Sequence, residues 1–227
     1  MSKTIRAQLQ ALSTPANQAG AARIIHTQNE ILGVQTPALR ALAKEIRRQD
    51  WREALAHQLT DDTYEELAIQ GYLIATAPMD LRERLQLIAA FVPKIDNWAT
   101  CDSFICQCKF VKKNLAEVWQ FLMPYLHSSQ EFSLRFGLVM LLSYYLTPEY
   151  IDAVLALTDS IHHPAFYVRM AQAWLVATAL AKAETTTWAY LQHSQLDDWT
   201  YNKALQKARE SYRIPPALKT KRFALKR

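Results

Sequence analysis

Four glycines in 227 residues leave this chain few places where the backbone can reverse sharply. A tight two-residue hairpin wants Asn-Gly or Asp-Gly, because both central residues need positive φ, and neither pair occurs. Helix starts, by contrast, are frequent. Thr14-Pro15, Thr36-Pro37 and Thr147-Pro148 each pair an N-cap residue with a proline suited to the first helical position. Asp50…Glu53, Thr63…Glu66, Asp80…Glu83 and Ser128…Glu131 have the spacing of capping boxes, strictly so where Ser or Thr leads. Between these signals apolar residues recur at three and four spacing, as in Leu39, Leu42, Ala43 and Ile46, or Leu81, Leu85, Ile88 and Ala89.

The pattern predicts helices near 2–12, 15–30, 37–48, 51–58, 63–77, 80–91, 97–108, 112–125, 131–146, 148–158, 165–182, 185–192 and 198–212. Antiparallel pairs of such helices cannot cover their own apolar faces, so they stack into a solenoid or close into a bundle. We expect an all-α array of helical pairs with a degenerate repeat of about 40 residues. No glycine- or serine-rich linker interrupts the chain, which predicts a single domain over 1–227 with a basic C-terminal segment, 201–227.

Half of the residues are apolar and 21% are charged, which excludes a disordered chain. No apolar run approaches the ~20 residues of a membrane span. The start, MSKTIRAQLQALS, lacks the apolar centre of a signal peptide, so the expectation is a cytoplasmic protein without a membrane partner. Cys101, Cys106 and Cys108 are an odd set at C-x4-C-x-C spacing. On a helix Cys106 and Cys108 point to different faces, and Cys101 and Cys108 stand roughly 10 Å apart along the axis. Buried thiols fit this spacing better than a zinc site, and no metal or cofactor is expected.

The formal charge of +5 is uneven. Residues 201–227 hold nine Lys or Arg against Glu210, a balance of +8, so the first 200 residues sum to −3. A basic end on a nearly neutral body suits a polyanion, nucleic acid before membrane; a solvated tail is the alternative for 217–227. Within 198–212, Lys203 and Lys207 share a helical face, with Arg209 close by and Trp199, Tyr201 and Tyr212 interleaved.

Several residues sit where a helix ordinarily wants plain core or plain surface. Trp98 and Asp102 are an i, i+4 pair in DNWATCD, 96–102. Arg135 opens the apolar SLRFGLVMLLSYY, and FYVRMAQAWLVATALAK carries Arg169 and Trp174 with Gln172 near. The separations 135 − 102 = 33 and 174 − 135 = 39 approach one helical repeat each, so these side chains could project from equivalent positions on successive repeats. Each also has an ordinary reading: tryptophan as core anchor, Asp102 as a cap or exposed acid, Arg135 as partner of Glu131.

Taken together, GVQTPALRALAKEI (33–46), DNWATCD (96–102), SLRFGLVMLLSYYL (133–146), FYVRMAQAWLVATALAK (166–182) and LDDWTYNKALQKARESYRI (196–214) resemble the HEAT-like repeat DNA alkylation-repair proteins, the AlkD-type alkylpurine DNA glycosylase superfamily. The family pattern of a tryptophan and an aspartate four apart, then an arginine, then a second tryptophan falls on Trp98, Asp102, Arg135 and Trp174. The resemblance implies a right-handed superhelical solenoid of antiparallel HEAT-like pairs whose concave, basic face holds duplex DNA. It implies hydrolysis of the N-glycosidic bond of cationic N3- or N7-alkylated purines by a monomer, with the lesion left largely within the duplex. Asp102, Trp98 and Trp174 would be catalytic, and Arg135, Arg169, Lys203, Lys207 and Arg209 would bind double-stranded DNA containing alkylated bases. The alternatives are a non-catalytic protein binding damaged or branched DNA, or a scaffold whose concave face binds protein.

Overall fold

The computed structural model describes residues 4–214 and Arg227. Lys219, Lys221, Arg222 and Lys226 of the basic segment, and the first residues of the helix expected at 2–12, lie outside this range. The described residues are helical, joined by short turns and a single parallel bridge pair, Glu30 with Thr63. The fold is all-α. None of these helices is long and apolar enough to cross a membrane.

The chain falls into two compact units, Met1–Phe110 and Val111–Arg227. The first contains α1 (Ile5–Leu12), α2 (Pro15–Ala22), α3 (Thr36–Arg48), α4 (Trp51–Glu53), α5 (Tyr64–Thr76), α6 (Leu81–Phe91) and α7 (Trp98–Ile105). The second contains α8 (Leu115–Leu126), α9 (Glu131–Tyr144), α10 (Ile151–Ser160), α11 (Phe166–Lys182), α12 (Glu184–His193) and α13 (Asp198–Glu210).

The caps form largely where the sequence puts them. Thr14, Asp50, Thr63 and Asp80 each accept a hydrogen bond from the backbone N–H three residues on. Two starts and one cap shift. Gln35 caps α3, which puts Pro37 at its second residue. The Ser128 hydroxyl accepts from Gln130 N instead of capping α9, which begins at Glu131 as expected. After Thr147, whose carbonyl accepts from both Tyr150 and Ile151, α10 begins at Ile151 rather than at Pro148. Residues 54–58, expected to continue α4, take the wider π-helical turn.

The interior helices carry apolar residues on most of their faces, and their buried polar side chains find partners within the protein. Every residue of α5 from Tyr64 to Ala75 is buried, and α5 packs against α3, α6 and α7. In the second unit α9 and α11 play that part, α9 against α8 and α11, and α11 against α10, α12 and α13. Gly137 of α9 allows a close crossing, since a Cβ there would stand 2.8 Å from the Leu126 side chain. The half-buried Trp119 stands edge-on to the buried Tyr145 at 5.2 Å, and Tyr145 donates to the Leu115 carbonyl at 2.8 Å.

The helix expected over 15–30 ends at Ala22. Polar side chains from elsewhere in the unit capture the backbone that follows. The fully buried Glu65 carboxylate accepts from Leu32 N at 2.9 Å, Gly33 N at 2.8 Å and Val34 N at 3.2 Å. Asp96 takes Gln28 N at 2.7 Å and the Thr27 hydroxyl at 2.8 Å. Gly33 sits at φ 91°, where a Cβ would stand 2.5 Å from Gln18 N and 2.7 Å from the Thr14 carbonyl. The neighbouring acid Glu66 bonds the Thr63 hydroxyl at 2.8 Å and Arg6 at 2.6 Å, tying α1 to α5.

Glu65→Ala strands three amide donors, each costing about 1–3 kcal/mol when buried without a partner. Its chemical-denaturation midpoint, followed by circular dichroism, should fall well below that of Glu65→Gln, which keeps an acceptor oxygen. Gly33→Ala should lose about 2–4 kcal/mol from left-handed strain and collision with α2. A midpoint within experimental error of the parent for both variants would contradict the role given to this loop.

Candidate nucleic-acid interface

The segment DNWATCD divides its duties between its polar residues. Asn97 is fully buried and caps α7, its side chain accepting from Thr100 N at 2.8 Å. Asp96 is committed to the 24–34 loop and also accepts from the Asn97 amide. Thr100, Cys101, Phe104 and Ile105 form the buried face of α7. Trp98 and Asp102 lie off that face, one turn apart, and both are half-buried. The Trp98 indole N–H donates to the Ile24 carbonyl at 2.9 Å, which fixes the ring by a contact from the loop.

The cysteines around them are thiols, Cys101 and Cys108 buried and Cys106 exposed. Burial pushes the Cys108 thiol up, outweighing the nearby Arg84 guanidinium. Among the described residues no group of three or more His, Cys, Asp or Glu is placed to hold a metal ion.

The other residues singled out in the sequence belong to the second unit. Trp174 projects from α11 with 37% of its surface exposed, although the helix around it is almost wholly buried. It borders an open cavity of about 350 Å³ together with Thr178, Lys207, Glu210 and Arg213. The Lys207 ammonium is held below its ordinary pKa, first by burial and then by the positive charges of Lys203 and Arg135, with Glu210 opposing. Arg135, Lys203 and Lys207 therefore act on one small region beside Trp174. An anion placed there would relieve their mutual repulsion.

The two arginines differ from the plain phosphate contacts expected of them. Arg135 is only 5% exposed, and its guanidinium donates to the Tyr167 carbonyl at 2.9 Å. It contributes field more than surface. Arg169 donates to the Asp197 carboxylate and stacks 4.5 Å above the Trp199 ring. Burial alone would raise the Asp197 carboxyl, but hydrogen bonds from Arg169 and Thr200 hold it below the ordinary value. The charge of Arg169 is thus largely met within the protein, in fixing the start of α13.

Lys203 bonds Gln206 at 3.0 Å and keeps its ammonium 5.9 Å from the Trp199 ring. Arg209 is half-buried on the last turn of α13 and does not border the Trp174 cavity. Arg213, which was not singled out, does. It follows the end of α13, so helical spacing from Lys203 and Lys207 gave no signal for it.

Comparison with curated proteins finds no match to this chain. The family model described as "DNA alkylation repair enzyme" matches residues 5–208, a span that holds α1 to α12, most of α13 and every candidate site residue named from the sequence except Arg209. The chain belongs to the DNA alkylation repair enzyme family, which gives it a role in DNA alkylation repair and DNA as its partner.

Proposed function

We propose that the protein is a metal-independent DNA glycosylase that hydrolyses the N-glycosidic bond of cationic N3- or N7-alkylated purines in duplex DNA. The observation that carries this reading is Trp98 with Asp102 on the non-core side of α7, in a chain of the DNA alkylation repair family.

The chemistry suits one carboxylate. An alkylated purine already carries positive charge, so the bond between C1′ and the base nitrogen breaks with its electron pair going to the base, which leaves neutral. No general acid is needed. The sugar becomes oxocarbenium-like, as in other glycoside cleavages. Asp102 stabilises that cation, orients water toward C1′ and takes a proton from it as the C–O bond forms. The products are the free alkylpurine and an abasic site.

The indoles supply π-faces to the cationic sugar and base, each contact worth on the order of 0.5–2 kcal/mol. Trp98 is oriented for this by its bond to Ile24, and the partial exposure of Trp174 is consistent with a stacking role. Lys207, Lys203 and Arg135 supply positive potential for backbone phosphate, which positions the duplex without reading sequence. Arg169 acts indirectly in this account, by fixing the start of α13 through Asp197, and Arg209 is a further phosphate contact. We further propose a monomer that acts as one functional domain.

Purified protein should release 7-methylguanine or 3-methyladenine from methylated duplex DNA. Asp102→Asn should cut the single-turnover rate by about 10²–10³, the scale of losing one transition-state electrostatic partner, while duplex affinity changes less than threefold. Base release by the variant at the parent's rate would remove Asp102 from the chemistry. No release by the parent from either lesion would leave a DNA-binding protein without this activity.

Lys207→Ala should weaken binding to damaged and undamaged duplex alike and reduce the slope of log affinity against log salt by about 1. Fluorescence anisotropy at several salt concentrations measures both. An unchanged slope would take Lys207 off the phosphate backbone.

A further inference from the structure

We infer a second phosphate site in the first unit, built on α3 and lying apart from Trp98 and Asp102 in the sequence. A cavity of about 230 Å³ is bordered by Arg40, Lys44 and Arg47 of α3, Tyr72 and Thr76 of α5, and Gln107. The three cations follow i, i+4, i+7 spacing, so they line one face of the helix, while Leu39, Leu42, Ala43 and Ile46 bury the other. No carboxylate among the described residues pairs with any of them, although Arg6, Arg52, Lys94 and Arg169 all have acidic partners. Arg47 donates to the Thr76 carbonyl at 3.3 Å, which holds its guanidinium at the cavity wall.

The second observation is Tyr72. Its side chain is deeply buried, since only 3% of the residue is exposed, and its hydroxyl has no hydrogen-bond partner in the protein. The Thr76 hydroxyl cannot serve it, being committed to the Tyr72 carbonyl at 2.6 Å. A buried hydroxyl left unpaired is costly, and native folds seldom keep one without a use. The Tyr72 side chain also lines a cavity edged by Arg40, Lys44 and Arg47 and by Gln107. One phosphate group answers all of these: its oxygens accept from the hydroxyl and the amide, and its charge meets two guanidinium groups and an ammonium. A simple cation or an apolar ligand would leave either the charges or the hydroxyl unmatched.

The phosphate could be a phosphodiester of the DNA backbone or a free phosphate group. The first source rests on the DNA-repair reading, and the second does not. Undamaged duplex and inorganic phosphate therefore serve as separate probes, and neither requires glycosylase activity. The variants are Arg40→Gln/Lys44→Gln, at two exposed positions, and Tyr72→Phe, which deletes only the unpaired hydroxyl.

If the backbone is the source, both variants should lose about tenfold in duplex affinity, the scale of a charge-assisted hydrogen bond or a phosphate contact, and the double variant should flatten the salt slope by about 1. If the source is free phosphate, duplex binding stays at the parent level. Phosphate-induced amide shifts on α3, read by heteronuclear NMR, should then disappear in both variants. Tyr72→Phe should also melt at or above the parent temperature, because it removes an unsatisfied group; this separates weaker binding from misfolding. Variants that bind duplex and inorganic phosphate as the parent does would overturn the site, as would a parent whose α3 amides respond to neither probe. A parent that binds duplex but releases no base would count against the glycosylase reading alone.

Discussion

A single buried carboxylate sets the geometry of the first unit. Glu65 gathers three consecutive amide donors, Leu32, Gly33 and Val34, inside the protein, where an unpaired N–H would be most costly. It can do so only because Gly33 turns through positive φ against the start of α2. That turn fixes the loop between α2 and α3 from one side, and Asp96 fixes it from the other through Thr27 and Gln28. The same loop presents the Ile24 carbonyl that orients the Trp98 ring. The indole proposed to face a DNA sugar is thus held by a chain of polar contacts that starts in the core.

The second unit solves a different problem: how to hold like charges close together. Burial and neighbouring cations both disfavour the charged form of Lys207, with Glu210 as a partial counterweight. Arg135 escapes the full cost of its burial by donating to Tyr167, and Arg169 by pairing with Asp197. The result is a graded set of cations. Some are spent on architecture, and others leave positive potential beside a half-exposed indole. This arrangement suits a polyanion bound through its backbone, where affinity depends on charge more than on base identity.

Most of the fold was legible in the sequence because caps and apolar spacing are local signals. Thr63 with Glu66 and Asp80 with Glu83 mark their helices within four residues. The expectation failed at 23–30, where composition alone permits helix and the preference is overridden by Glu65 and Asp96, acids about 35 and 70 residues further along the chain. Thr147 misplaced its helix start, and Ser128 its cap, because a hydroxyl or carbonyl can serve a nearer turn as readily as a helix end. Of the candidate cations, Lys203 and Lys207 were readable from spacing. That Arg169 would be taken by Asp197, and that Arg213 would stand beside Trp174 instead of Arg209, depended on how α13 lies on α11.

The sequence by itself determined an all-helical chain, the placing of most helix ends, and the pairing of Trp98 with Asp102 across one turn, since each of these is settled within a few residues of backbone. Only the tertiary structure decided which charges are spent. It assigned Asp96 and Glu65 to the loop, closed Arg169 upon Asp197, and left Arg40, Lys44 and Arg47 around a cavity that Tyr72 also lines. The physical reason is that a charged group's role depends on what lies within a few ångströms of its tip, and those neighbours come from distant parts of the chain brought together by packing.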